Sequence, residues 1–147
     1  MDDSILDQNV LRVVRIHDKA IIPKKATNGS AARDLYAIED QVVDSYTSAK
    51  IPLGIRMAIP KGMYGRIAGR SSLALKSGVI IGGGVLDSDF RDECAVIITV
   101  VSPNPYKIKA GDRVAQLIME KLGEVKVLEC TDLDETDRKG GFGSTGV

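Results

Sequence analysis

Cysteine and histidine are scarce in this chain: Cys94, Cys130 and the single His17 are all it has. The cysteines lack CxxC spacing, which argues against zinc and dithiol redox sites and leaves two buried, reduced thiols as the expectation. An excess of one charge is also missing, because 20 Lys and Arg offset 20 Asp and Glu. A sequence-independent grip on nucleic acid or on an anionic membrane is thereby excluded, and any phosphate binding must be local. Apolar runs are too short to span a bilayer, which takes about 20 residues. The start, "MDDSILDQNV", has neither a basic leader region nor an apolar stretch. These absences lead to the expectation of a soluble intracellular chain, in the cytoplasm or the nucleus.

What is present reads as one all-β domain over residues 1–147, large enough to bury a core without covalent staples. In "IPLGIRMAI" (51–59), Ile51, Leu53, Ile55, Met57 and Ile59 alternate on one face, the period of a half-buried strand that opens at the edge residue Pro52. "CAVIITVV" (94–101) is apolar throughout, as in a strand covered on both faces. "VLRVVRI" and "EVKVLE" are shorter strand candidates. Between 112 and 125, a helical stripe behind Asp112 competes with the strand period of Val114, Gln116 and Ile118. The surrounding β pattern favours the strand. "SSLALKSG" (71–78) is the one short helix, opening on hydroxyls and closing on Gly78. Turn residues at short intervals favour a jelly-roll-like barrel or sandwich. Residues 1–9 read as a flexible start and 137–147, with four glycines in "RKGGFGSTGV", as a mobile arm.

Four stretches carry chemistry. "GRSSLALKSG" sets Arg70, Ser71 and Ser72 at a helix start, where a planar guanidinium and hydroxyls suit phosphate oxygens; a capped helix with a surface arginine reads equally well. "GDRVAQL" places Gln116 in an apolar strand, either as a satisfied interior amide or as an outward polar ligand. In "GGGVLDSDFR" (82–91), consecutive glycines let a flat heterocycle reach backbone N–H and C=O groups. Asp87 there could orient and deprotonate a water, with Phe90 against a sugar ring, or Asp87 and Asp89 could simply cap a turn. The arm brings Arg138 and Phe142, a phosphate clamp and a stacking ring on a lid.

In chain order, "AARDLYA" (31–37), "GRSSLA" (69–74), "GGGVLDSDFR" (82–91), "GDRVAQLI" (111–118) and "RKGGFGSTGV" (138–147) resemble the five motifs of the trimeric dUTP pyrophosphatases. The resemblance implies a jelly-roll-like homotrimer with shared active sites. It would hydrolyse dUTP to dUMP and pyrophosphate with Mg2+, limiting uracil in DNA and supplying dUMP for thymidylate synthesis. By that pattern Asp87 orients the water attacking the α-phosphorus, and the backbone around Gly84 and Val85 reads uracil while leaving no room for a 5-methyl group. Phe90 packs on the deoxyribose, and Arg70, Ser71, Ser72 and Gln116 hold phosphates. Asp34 supports the metal through water, and Arg138, Phe142, Gly143 and Ser144 arrive from a neighbouring subunit's arm.

Five residues depart from the pattern. Ala32 and Gly69 stand for a glycine and a proline, Phe90 for a tyrosine, and Asp92 and Lys139 for glycines. Two other readings share the fold: a nucleotide-binding regulatory protein, and an enzyme related to dCTP deaminase. The "GFGSTG" ending and the "GGGVLDSDF" hairpin favour the pyrophosphatase over the deaminase.

Overall fold

The computed structural model describes residues 9–143. In chain order the elements are β1 (Arg12–Arg15), β2 (Arg33–Tyr36), β3 (Gln41–Val43), β4 (Ser48–Pro52), β5 (Ile55–Ala58), β6 (Met63–Ala68), α1 (Ser71–Ser77), β7 (Val79–Gly82), β8 (Val85–Leu86), β9 (Ala95–Val100), β10 (Tyr106–Ile108) and β11 (Arg113–Lys121). Every strand pairing is antiparallel. The sheets run β2-β11-β6-β8, β4-β9-β7, β1-β5 and β10-β3. The fold is all-β and jelly-roll-like, with small packed sheets in place of a closed barrel.

The alternation in 51–59 is realised, since Ile51, Leu53, Ile55, Met57 and Ile59 are all buried. It spans two strands, however. The chain turns at Gly54 (φ +67°), where a Cβ would lie 2.9 Å from His17 Cβ, so β4 pairs with β9 while β5 pairs with β1. Pro52 closes β4, an edge strand, and needs no ladder donor there. Segment 113–121 is a strand, and the Asp112 carboxylate accepts the Lys109 amide instead of capping a helix. A register shift between Arg113 and Ala115 interrupts its pairing with β2. Helix α1 ends on Gly78 in the left-handed conformation, donating its N–H to the Leu73 and Ala74 carbonyls. No hydroxyl caps its start.

Three expectations are corrected. Strand β9 is covered on one face only: Val96, Ile98 and Val100 are fully buried, but Ile97 is exposed, because β4-β9-β7 turns one side to solvent in a single chain. "EVKVLE" forms no strand; Val125, Val127 and Leu128 point into solvent with no neighbouring strand to pair. Of the two thiols, Cys94 is buried but Cys130 is exposed in that same unpaired stretch, and both are free. Burial pushes the Cys94 thiol above its ordinary range.

Candidate active site

The expected hairpin at 82–91 is not one: β7 pairs with β9 and β8 with β6, so the glycines form a turn that carries the chain from one sheet to the other, and it is built from backbone. Gly83 and Gly84 have φ of +64° and +93°. At Gly84 a Cβ would sit 2.8 Å from the Ile67 carbonyl oxygen, and the Ile67 amide donates to the Gly84 carbonyl at 2.7 Å. Only glycine lets this turn lie so close on β6. Beside it opens a cavity of about 340 Å³, walled by Gly82, Gly83, Gly84, Val85, Ile67 and Ile97.

Leaving β8, the chain turns through 87–90, with the Phe90 amide donating to the Asp87 carbonyl at 3.2 Å. Arg91 fixes the loop from outside by donating to the Ser88 and Phe90 carbonyls. Asp87 is exposed, and neither its carboxylate nor that of Asp89 engages a partner among the described residues. The turn is therefore not held by aspartate capping, which leaves the Asp87 oxygens available to a water.

The second part of the site is built from side chains. In the sheet Gln116 of β11 stands opposite Asp34 of β2 and Ala68 of β6. Asp34, with its side chain 14 % exposed, lies 4.0 Å from Arg70 Nε and 3.8 Å from Arg113 Nη1. Arg70 donates to the Arg113 carbonyl, and Gln116 Nε2 to the Gly69 carbonyl at 2.8 Å. Ser71 and Ser72 are exposed just beyond. Burial, and next the Asp34 charge, push the Tyr36 phenol up. Two guanidiniums around one half-buried carboxylate form a surface suited to several phosphate oxygens.

The two parts meet on β6, because Ile67 holds the glycine turn while Gly69 and Arg70 follow three residues or fewer later. A glycine-walled slot and an arginine cluster are thus both attached to β6, with the unengaged Asp87 carboxylate just after β8. A dUTPase family profile matches residues 18–146. The chain belongs to the dUTPase family.

Among its curated relatives, the mitochondrial deoxyuridine 5′-triphosphate nucleotidohydrolase of Dictyostelium discoideum is 44 % identical over 92 % of this chain and 76 % of its own length. The corresponding protein of Arabidopsis thaliana is also 44 % identical, over 92 % of this chain and 82 % of the relative. A solved dUTPase of Staphylococcus bacteriophage 80alpha, with dUpNHpp, superposes with a TM-score of 0.87 at 22 % identity, covering 95 % of this chain and all of that one. At that identity the likeness is one of fold.

Other residues of this dUTPase stand apart from the cluster. Phe90 is at the surface, 37 % exposed. Arg138, Phe142 and Gly143 are exposed on the arm, where Arg138 Nε donates to the nearby Gly140 carbonyl and Phe142 (φ +53°) is fully exposed. Phe90 closes the turn that follows β8, whereas no contact among the described residues brings Arg138, Phe142 or Gly143 to Asp34. Ser144 and the first eight residues lie outside the described residues. Arg113 was not among the residues expected at the site, although the "GDR" preceding a strand was visible; its charge at the strand's first position was the available signal. Ile97, a wall of the cavity, was hidden inside an apolar run.

No group of three or more His, Cys, Asp or Glu side chains among the described residues could enclose a metal. The residues do fit a hydrated magnesium brought in by the nucleotide, since that ion keeps several waters and takes one or two carboxylates plus phosphates. Asp34, loosely paired at 3.8 and 4.0 Å, is the carboxylate in place for it. No described helix is long and apolar enough to cross a membrane.

Proposed function

We propose that this dUTPase hydrolyses dUTP to dUMP and pyrophosphate. The observation that supports the reading is the junction of Gly84 on Ile67, a residue of the strand that runs on into Gly69 and Arg70. Uracil would enter the slot beside the glycine turn and pair with backbone groups near Gly84 and Val85, whose wall would exclude a 5-methyl group. Phe90 would lie against the deoxyribose. The phosphates would run toward Arg70, Ser71, Ser72, Arg113 and Gln116.

Asp87 would accept a proton from a water as its oxygen attacks the α-phosphorus; the bond from that phosphorus to the bridging oxygen breaks, and pyrophosphate leaves. Negative charge grows on phosphate oxygens in that step, and Arg70 and Arg113 lie where they can neutralise it. Magnesium, when bound with the nucleotide, supplies further charge neutralisation, and Asp34 would hold its hydration shell.

The arm completes the reading. Arg138 would reach the γ-phosphate, and Phe142 and Gly143, with Ser144, would close over the base from a neighbouring subunit of a homotrimer. The support is the arm's exposure: residues 122–140 lie exposed beyond the end of β11. Pyrophosphate release measured side by side on dUTP, dTTP, dCTP and UTP, with and without magnesium, tests the proposal. Metal-dependent turnover of dUTP with little of the others is expected; equal rates on all four would overturn it, and binding without turnover would assign the chain a regulatory role.

A further inference from the structure

On the β1-β5 ribbon lies a cavity of about 170 Å³ that the proposed reaction does not use. Val14, Met57 and Ala58 line its floor, and Arg12, Arg56 and Arg91 stand around it. Register explains the arrangement. Val14 pairs with Arg56 and Arg12 with Ala58, so all four residues face one side of the ribbon. Val14 is 51 % exposed, an apolar residue left open between guanidiniums. Arg91 enters from the loop it secures at Ser88 and Phe90, next to Asp87.

The arm contains the complementary sequence. Residues 129–137, "ECTDLDETD", carry Glu129, Asp132, Asp134, Glu135 and Asp137 and no basic residue. Leu133 sits in their middle, 81 % exposed. This stretch immediately precedes Arg138 and Phe142, so whatever holds it fixes the reach of both.

We propose that Leu133 of one chain's arm inserts into the Val14–Met57–Ala58 cavity of a second copy, with the flanking carboxylates on Arg56 and Arg91. The inference rests on the reading that the arm serves another subunit, and it adds an anchor for the arm outside the nucleotide site. Apolar burial supplies the hold and charge complementarity the register, as at interfaces with a buried centre and a charged rim. Because Arg91 also braces the Asp87 loop, docking and the loop share one side chain.

Cys130 reports on docking without nucleotide, since it is exposed within the segment while Cys94 is buried. The rate of Cys130 reaction with a thiol reagent is measured on the full-length assembled protein. Leu133→Asp should raise the rate by about tenfold, as loss of a buried leucine implies. Arg56→Glu should raise it by about threefold, and salt increased from about 0.05 to about 0.5 M should act in the same direction. Mixing Arg56→Glu chains with Asp134→Arg chains, after subunit exchange, should slow part of the reaction again, because the reversed arm then meets a reversed patch on another chain. Unchanged rates in both single variants overturn the proposal. Recovery in the Arg56→Glu/Asp134→Arg double variant but none in the mixture overturns it too, placing the arm on its own chain. If dUTP is not hydrolysed yet these rates shift as stated, the anchor stands and the reaction fails; if hydrolysis depends on the arm and the rates do not shift, the anchor alone fails.

Discussion

The glycine turn around Gly84 and the cluster around Asp34 do their work by opposite means. The first offers main-chain groups and the absence of side chains: with φ of +93° and 2.8 Å between a would-be Cβ and a carbonyl oxygen, Gly84 admits almost nothing else. The second offers side chains whose backbones are ordinary strand, with Asp34, Arg113 and Gln116 in paired registers. A base can thus be recognised by rigid shape while phosphates are held by groups that move with the reaction. The backbone half should fail by losing its fold, the side-chain half by losing rate or affinity with the fold intact.

The largest effect should come from Asp87→Asn, whose carboxylate has no structural partner to lose. We expect kcat to fall by about 10² to 10⁴-fold with the melting temperature and nucleotide binding unchanged; a rate near that of the parent protein would return Asp87 to the role of a turn residue. Arg113→Ala removes one charge-assisted contact to phosphate, worth about 1.5 to 3 kcal/mol. It should therefore raise KM for dUTP by about tenfold or more while leaving binding of deoxyuridine alone untouched. Weakened deoxyuridine binding would blur the division between the two halves. Gly84→Ala should show the reverse pattern, with stability lowered by about 1 to 3 kcal/mol from backbone strain and the uracil slot deformed. Thermal unfolding and deoxyuridine titration of that variant check it together.

Phe90→Tyr restores the hydroxyl that the family pattern carries. If that group pins the turn, dUTP should bind tighter by about 0.5 to 1.5 kcal/mol; if the ring face alone matters, the preference for dUTP over UTP should stay where Phe90 sets it. The smallest effect is expected on β6 and β11 outside the phosphate cluster, where Tyr64 and Arg66 both donate to Glu120. These hydrogen bonds, Tyr64 first, hold the Glu120 carboxyl below its usual value of 4.5. The folded chain thus gains stability that is present above that value and lost as pH falls through the lower one. A small acid-side drop in melting temperature should vanish in Glu120→Gln.

Much of this was legible in residue order. The alternation of 51–59 and the helix ending on Gly78 follow from local periodicity and from one left-handed glycine, while the strand at 113–121 was decided by the β pattern around it. Asp34, Arg70 and Gln116 were expected at one site; register sets Gln116 opposite Asp34, and Arg70 Nε lies 4.0 Å from Asp34. What escaped was set by partners distant in sequence. "EVKVLE" alternates like a strand yet finds no strand beside it, and "CAVIITVV" looks doubly covered because nothing local says that one of its faces stays open. Cys130 is exposed for the same reason as its neighbours Val127 and Leu128. Arg113 was passed over because its carboxylate partner lies 79 positions earlier in the chain, and pattern within one strand cannot show it.

The register shift between Arg113 and Ala115 has its own arithmetic. In an uninterrupted strand, residues three apart face opposite sides of the sheet. Here Arg113 stands opposite Tyr36 and Gln116 opposite Asp34, two residues apart on β2 and hence on one side. One surplus residue, the bulge at Val114, turns odd spacing into even and brings guanidinium and amide to the same face. The phosphate cluster is therefore encoded by chain length as well as by residue type. Replacing or deleting Val114 would leave Arg113 and Gln116 on one side, whereas pairing the strand at its present length without the bulge would send one of them to the wrong side without changing a single functional group.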